Sequence, residues 1–217
     1  MATYVLLPGA GSDSWYWHLV TPRLEALGHD VVAVDLPTED ESAGLPQYAD
    51  VVIDAIGGRG DLVVVAQSLG GFTAPIVCDR VPVDLLVLVA AMTPAPGESP
   101  SEWWDATGHV DPQLEVEDMF FHDVPADVTA AAFARPPIGQ SQASWVSAFP
   151  LAAWPDVPTR FLLMKDDRLF PADFQRRVVQ ERLGITPDEM DGGHLPALAH
   201  PDELVARLER YRADVTG

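Results

Sequence analysis

The chain of 217 residues has a single cysteine, Cys78, so an internal disulfide and a cysteine-based metal site are both excluded. Cys78 falls in an apolar helical pattern, where a small buried thiol is the ordinary reading. There is a single lysine, Lys165, and Lys plus Arg total 13 against 33 Asp plus Glu, a formal net charge of -20. So acidic a chain repels phosphate backbones and anionic membrane surfaces, and neither nucleic acid nor membrane is expected as a partner. No apolar run is long enough to span a bilayer. The N-terminus has no basic region, and Pro8 interrupts its apolar run, so no signal peptide is read and a cytoplasmic location is the expectation. No pair of histidines has metal-ligand spacing with a carboxylate, and no metal is expected. Gly9 and Gly11 lack the third glycine of a dinucleotide fingerprint, and a Walker lysine is absent, so no cofactor is expected.

What is present is a regular alternation. Hydrophobic residues make up 47% of the chain, enough for a substantial core. Apolar, β-branched runs at Tyr4–Leu7, Val31–Val34, Leu62–Ala66, Leu85–Val89, Phe161–Met164 and Thr186–Met190 read as strands. Helical patterns at Trp15–Leu27, Gln47–Ile56, Leu69–Arg80, Ala172–Leu183 and Pro201–Arg212 separate them. Alternating strands and helices imply an α/β fold in three layers, a mostly parallel sheet with helices on both faces. The central strands are apolar throughout, as strands covered on both faces must be. Right-handed crossovers then bring the C-terminal ends of the strands to one edge, where open α/β sheets bind ligands. The alternation lapses between Thr93 and Pro158. That stretch is rich in proline and aromatic residues, with helical patches at Pro125–Phe133 and Ser141–Phe149. A loop so long is rarely structureless. One domain over residues 1–217, with a helical cap inserted at about 94–157, is the expected organisation.

Four short segments at strand ends carry candidate chemistry. In Val64-Val65-Ala66-Gln67-Ser68-Leu69-Gly70-Gly71 a serine stands between strand and helix among small residues. A turn that sharp strains the serine backbone and lifts its hydroxyl above the sheet edge, with a helix N-terminus behind it. The plainer alternative is a helix N-cap. In Pro8-Gly9-Ala10-Gly11-Ser12, after the first strand, glycines let the backbone approach a ligand closely, as a tight βα loop also would. Asp166 and Asp167 follow the Phe161–Met164 strand, and either could orient a histidine or cap the helix after Pro171. His194 follows the last strand behind Gly192-Gly193. The order Ser68…Asp167…His194, each just after a strand of a parallel sheet, makes a nucleophile, acid and base the joint reading.

With these motifs the sequence resembles the α/β-hydrolase superfamily. Trp15-Tyr16-Trp17, Leu24 to Val31 and Asp35-Leu36-Pro37 are similar to its small esterase and hydroxynitrile-lyase branch, which includes plant methylesterases. The resemblance implies Ser68 as nucleophile, His194 as base, Asp167 as its acid through the spacing Asp-x-x-x-Pro to Pro171, and the backbone N–H groups of Ala10 and Leu69 as the oxyanion hole. Ala66 replaces the usual glycine of the elbow, and Pro8 replaces the usual histidine before Gly9. The chain starts where the family's third strand lies, so about six strands are implied. Cyanide-releasing members carry a lysine after the histidine; Leu195 stands there. The implied function is hydrolysis of a small to medium, largely apolar ester or lactone through an acyl-enzyme. A non-hydrolytic lyase or cofactor-free biosynthetic catalyst, or a ligand receptor, on the same scaffold is the alternative. Gly9, Trp103, Trp104 and Phe121 are the first candidates for substrate contact. A homodimer is compatible with the sequence.

Overall fold

In β1 (Thr3–Leu7) successive side chains point to opposite sides of the sheet, and both sides are buried. Val5 and Leu7 enter one apolar cluster, while Tyr4 and Leu6 enter a second. The same division runs through β3 (Leu62–Gln67), β4 (Leu85–Val89) and β5 (Thr159–Met164). This is why apolar residues run consecutively along these strands, through Tyr4–Leu7, Leu62–Ala66, Leu85–Val89 and Phe161–Met164, rather than at every second position. With β2 (Asp30–Ala33) and β6 (Asp188–Met190) they form one parallel six-stranded sheet in the order β2-β1-β3-β4-β5-β6. The computed structural model describes residues 1–216; Gly217, included in the expected domain, lies outside the described residues.

One face is covered by α2 (Leu45–Ile56), α3 (Gly70–Arg80) and α8 (Ala172–Leu183). The other is covered by α1 (Thr21–Ala26), α9 (Pro196–Ala199) and α10 (Pro201–Thr216). This is the three-layer α/β arrangement expected from the pattern. The chain leaves β1 toward the β2 edge and returns past β1 to build β3. The sheet order therefore reverses between β1 and β3, and the loops leaving those two strands diverge to open a crevice.

The helix expected over Trp15–Leu27 is two pieces, a 3₁₀ turn at Ser14–Trp17 and then α1. Pro22 cannot donate the hydrogen bond a continuous helix would need, so the helix restarts with proline in its first turn. The segment joining β4 to β5 holds four short helices: α4 (Pro100–Ala106), α5 (Val116–Phe120), α6 (Ala126–Phe133) and α7 (Gln142–Val146). Two of these match expected patches. α4 and α5 lie outside those patches, although the signal for α4 is in the sequence. Ser99 accepts from the Glu102 N–H at 3.3 Å, Glu102 accepts from the Ser99 N–H at 2.9 Å, and Pro100 takes the first helical position.

At the far end of the molecule α10 is tied to β1 through Glu209. Its carboxylate accepts from Tyr4 Oη at 2.5 Å, from Arg212 Nη2 at 3.0 Å and from His29 Nε2 at 3.1 Å. His29 Nδ1 accepts from the Ala2 N–H at 3.1 Å, so the ring proton sits on Nε2 and faces Glu209. Burial alone would raise the Glu209 pKa. The hydrogen bonds from Arg212, Tyr4 and His29 outweigh it and hold the group at about 2. A carboxylate depressed in the folded state contributes stability above its unfolded pKa, and that contribution fades as pH falls from about 4.5 to about 2. Glu209→Gln is expected to cost about 1–2 kcal/mol near neutrality. It should also make the acid limb of the stability curve shallower, read by urea unfolding at several pH values. An unchanged limb would show that Glu209 carries no such linkage.

Candidate active site

Ser68 joins β3 to α3 with φ +51, the left-handed region that costs a residue with a Cβ about 1–3 kcal/mol. The strain is held from β4. The Ser68 N–H donates to the Val89 carbonyl at 3.3 Å, and the Ser68 carbonyl accepts from Met92 N–H at 2.9 Å and Gly71 N–H at 3.1 Å. Both glycines of the elbow are demanded by proximity. A methyl group at Gly70 would come within 3.0 Å of the Pro8 carbonyl oxygen, and one at Gly71 would overlap the Met92 carbonyl. Ala66 fits where the family usually has glycine. Its methyl would meet a Gly70 side chain at only 3.5 Å, an ordinary contact, and there is no such side chain.

The loop after β1 lies directly against this turn. A Cβ on Gly9 would fall 2.8 Å from the Ser68 Cβ and into the Gln67 carboxamide, so only glycine lets the two loops touch. Among the described residues, neither the Ala10 nor the Leu69 backbone N–H donates a hydrogen bond within the protein. Gly9 and Leu69 also line a narrow crevice with Pro8, Tyr48, Thr73 and Gln140. A larger recess of about 340 Å³, beside Met1, Asp61 and Asp84, opens at the opposite edge of the sheet, away from Ser68.

Asp167 and His194 meet at the same edge as the elbow. His194 Nδ1 lies 2.7 Å from Asp167 Oδ2, with both side chains buried. The other oxygen, Oδ1, accepts from the Leu169 and Phe170 N–H groups at 2.9 Å each, which leaves Oδ2 for the imidazole. With its acceptor oxygen toward Nδ1, Asp167 favours the tautomer that carries the ring proton on Nδ1 and leaves Nε2 as an acceptor. Asp166, the alternative acid, instead accepts from the Gly192 N–H at 2.9 Å and shapes the loop. Gln67, next to Ser68, donates from Nε2 to the His194 carbonyl at 3.1 Å and ties the base loop to β3. The rings of Phe170 and Phe120 stand edge-on to the His194 ring at 5.2 and 5.4 Å.

The aromatic candidates divide. Trp103 is only 1% exposed, donates its indole N–H to the Thr93 carbonyl at 3.1 Å, and packs against Trp104, Phe170 and Phe174. Its ring belongs to the core cluster, because it is enclosed on all sides. Trp104 is half-buried against Phe170 and His109. Phe121 pairs with Phe133 at 5.1 Å. From the segment between β4 and β5 it is Phe120, one position earlier, that stands beside Phe170 against the His194 ring. Sequence reasoning also missed Gln67 and Asp123, whose partners lie 127 and 70 residues away, beyond any local pattern. Lys165 is ion-paired with Asp191 at the surface. Among the described residues no three His, Cys, Asp or Glu side chains are grouped to hold a metal, and no helix is long and apolar enough to cross a membrane.

A strained serine after the third strand, a buried Asp–His pair after the fifth and sixth, and a glycine loop after the first define the α/β-hydrolase class. Residues 4–208 match the α/β hydrolase family, and the chain belongs to it. It is similar to Methylesterase 3 of Arabidopsis thaliana, 27% identical over 94% of this chain and 93% of the relative. It is also similar to Norfluorocurarine synthase 2 of a Strychnos species, 24% identical over 93% and 91%. The crystal structure of polyneuridine aldehyde esterase superposes with a TM-score of 0.80 over all of both chains at 18% identity, a likeness of fold. These relatives match the plant methylesterase-like branch of the superfamily.

Proposed function

We propose that the protein is a serine carboxylesterase acting through an acyl-enzyme on a carboxylic ester or lactone of a small to medium, largely apolar substrate. The observation that carries this reading is the buried Asp167–His194 hydrogen bond at the sheet edge where Ser68 is held in left-handed geometry. Kinship with methylesterases supports ester chemistry.

In this mechanism His194 Nε2 takes the proton of the Ser68 hydroxyl as its oxygen attacks the ester carbonyl carbon. Asp167 keeps Nδ1 protonated and stabilises the imidazolium. The oxyanion is received by the N–H groups of Ala10 and Leu69, left undirected by the fold, an effect worth about 3 kcal/mol per donor. The imidazolium then protonates the departing alcohol. Water, activated by the same base, attacks the acyl-enzyme and releases the acid and Ser68. The segment over residues 94–157 acts as the cap that shapes the substrate space, with Phe120 and Trp104 as apolar walls.

The test is turnover of short p-nitrophenyl and methyl esters together with labelling of Ser68 by a fluorophosphonate. Folded protein that does neither sinks the reading. Labelling without ester turnover would favour non-hydrolytic catalysis on the same scaffold, to which the similarity with a synthase points. The assignment of the acid has its own test. Asp167→Asn presents an amide to Nδ1 and inverts the tautomer, so kcat should fall about 10⁴-fold. Asp166→Asn keeps an acceptor for the Gly192 N–H and should lose less than about tenfold, since the group contacts the loop alone. Equal losses in the two variants would contradict the assignment.

A further inference from the structure

We propose that Asp123, from the segment between β4 and β5, is a positioning residue that sets the placement of the His194 ring. The proposal rests on the reading of His194 as the general base. Asp123 follows α5, and its Oδ2 accepts from the Gly193 N–H at 2.6 Å. Gly193 immediately precedes His194. The same oxygen stands 3.3 Å from His200 Nε2. So short a bond to a carboxylate is of the charge-assisted kind, stronger than a neutral one.

The loop needs such a hold. Asp191 to Leu195 contains two adjacent glycines, and Gly192 lies at φ +114. Glycine loses more conformational freedom on fixing than any other residue, so a Gly-Gly loop does not hold a side chain still by itself. His194 is instead pinned at three points that come from three parts of the chain. Asp167 takes its Nδ1, Gln67 takes its carbonyl, and Asp123 takes the N–H just before it. The Asp123 contact is the one supplied by the segment over the sheet edge, and Phe120 of the same segment lies against the His194 ring.

The fit between the two pieces is close. A Cβ on Gly193 would come 2.7 Å from both Asp123 Oδ1 and His122 Nε2, and one on Gly192 would come 2.6 Å from the His200 ring. Asp123 Oδ1 and His122 Nε2 are buried without a partner among the described residues. The unmatched Oδ1 adds a desolvation cost, and the contacts of Oδ2 to the Gly193 N–H and to His200 Nε2 are what the side chain makes against it.

The test uses Asp123→Ala, Asp123→Asn and Asp123→Ser, with thermal unfolding run beside each. Asp123→Ala is expected to lower kcat and the fluorophosphonate labelling rate of Ser68 about tenfold to a hundredfold, the cost of a small misplacement, with KM nearly held. Its NMR spectrum should lose or shift the downfield resonance of the His194 Nδ1 proton. Asp123→Asn keeps an acceptor for the Gly193 N–H and should recover most of both signals, which a loss of mere packing would not reproduce. If the alanine variant does not fold, Asp123→Ser, whose hydroxyl is too short to reach Gly193, carries the same expectation. Folded Ala or Ser variants with the native labelling rate and an unmoved Nδ1 resonance overturn the proposal. If the native protein neither turns over esters nor labels, the esterase reading fails. A resonance that still moves in Asp123→Ala would then leave the positioning role standing.

Discussion

Ser68→Ala is expected to lower kcat on any ester the protein cleaves by about 10⁴- to 10⁶-fold, because the acyl-enzyme route needs the oxygen and the other members of the triad cannot act without it. Fluorophosphonate labelling should disappear at the same time. Stability should change little, since alanine at φ +51 meets the same backbone strain as serine. Ser68→Gly is the informative partner. It should be equally inactive but more stable by about 1 kcal/mol, because glycine occupies the left-handed region without a Cβ penalty. Activity lost together with stability gained would mark the strain as part of the site, a cost the fold carries to lift the hydroxyl. Persistent labelling in the alanine variant would place the nucleophile elsewhere. A glycine variant less stable than the native protein would mean that the backbone there is not strained.

Gly71→Ala should be the most damaging single methyl group in the chain. The added Cβ would overlap the Met92 carbonyl oxygen and stand 3.1 Å from the carbon that bears it and 3.2 Å from the Ala91 Cβ. None of these can swing aside as a flexible side chain could. Met92 is itself fixed, because its N–H donates to the Ser68 carbonyl at 2.9 Å. Relief requires α3 or the end of β4 to shift, which breaks the bonds that hold the elbow. A loss of about 3–5 kcal/mol is expected, the upper range for overpacking against rigid backbone. That corresponds to a fall in Tm of about 10 °C for a domain of this size. Gly58→Ala is the control. Gly58 has φ +79 but open space around its Cβ position, so it should cost only about 1 kcal/mol from backbone strain. Thermal unfolding of the two variants reads the difference directly. Similar melting temperatures would refute the packing account of the Gly70-Gly71 pair.

The elements that were legible in the sequence share a property. β1, β3, β4 and β5 announce themselves because both faces are buried along most of their length, so apolar residues run consecutively through Tyr4–Leu7, Leu62–Ala66, Leu85–Val89 and Phe161–Met164. α8 begins after Pro171 and stops at Gly184 in the left-handed C-cap position, signals that act over a few residues. Where a local signal was overridden, the cause is also local: Pro22 divides the first helix, and Ser99 with Glu102 starts a helix within an aromatic-rich stretch that masked it. The site residues Ser68, Asp167 and His194 could be nominated for the same reason. In a parallel sheet each strand's C-terminal end lies on one edge, so position just after a strand is a spatial statement.

Contacts between distant segments were a different matter. The family spacing favours Asp167 over Asp166, but both carboxylates meet the loop after β6, and which one faces the His194 ring rather than the Gly192 N–H is a matter of tertiary contact. Trp103 and Phe120 are both aromatic residues of one irregular segment, yet one is enclosed by Phe170 and Phe174 while the other reaches His194. Asp123 carries no signal at all in its own neighbourhood. The sequence by itself therefore determined the sheet, its burial on both faces and the strand ends where chemistry could stand, because hydrophobic period and glycine placement are properties of short stretches. Only the tertiary structure decided which groups touch, because the path of the segment between β4 and β5 brings residues some 70 positions apart into hydrogen-bond range, and no short-range pattern encodes that path.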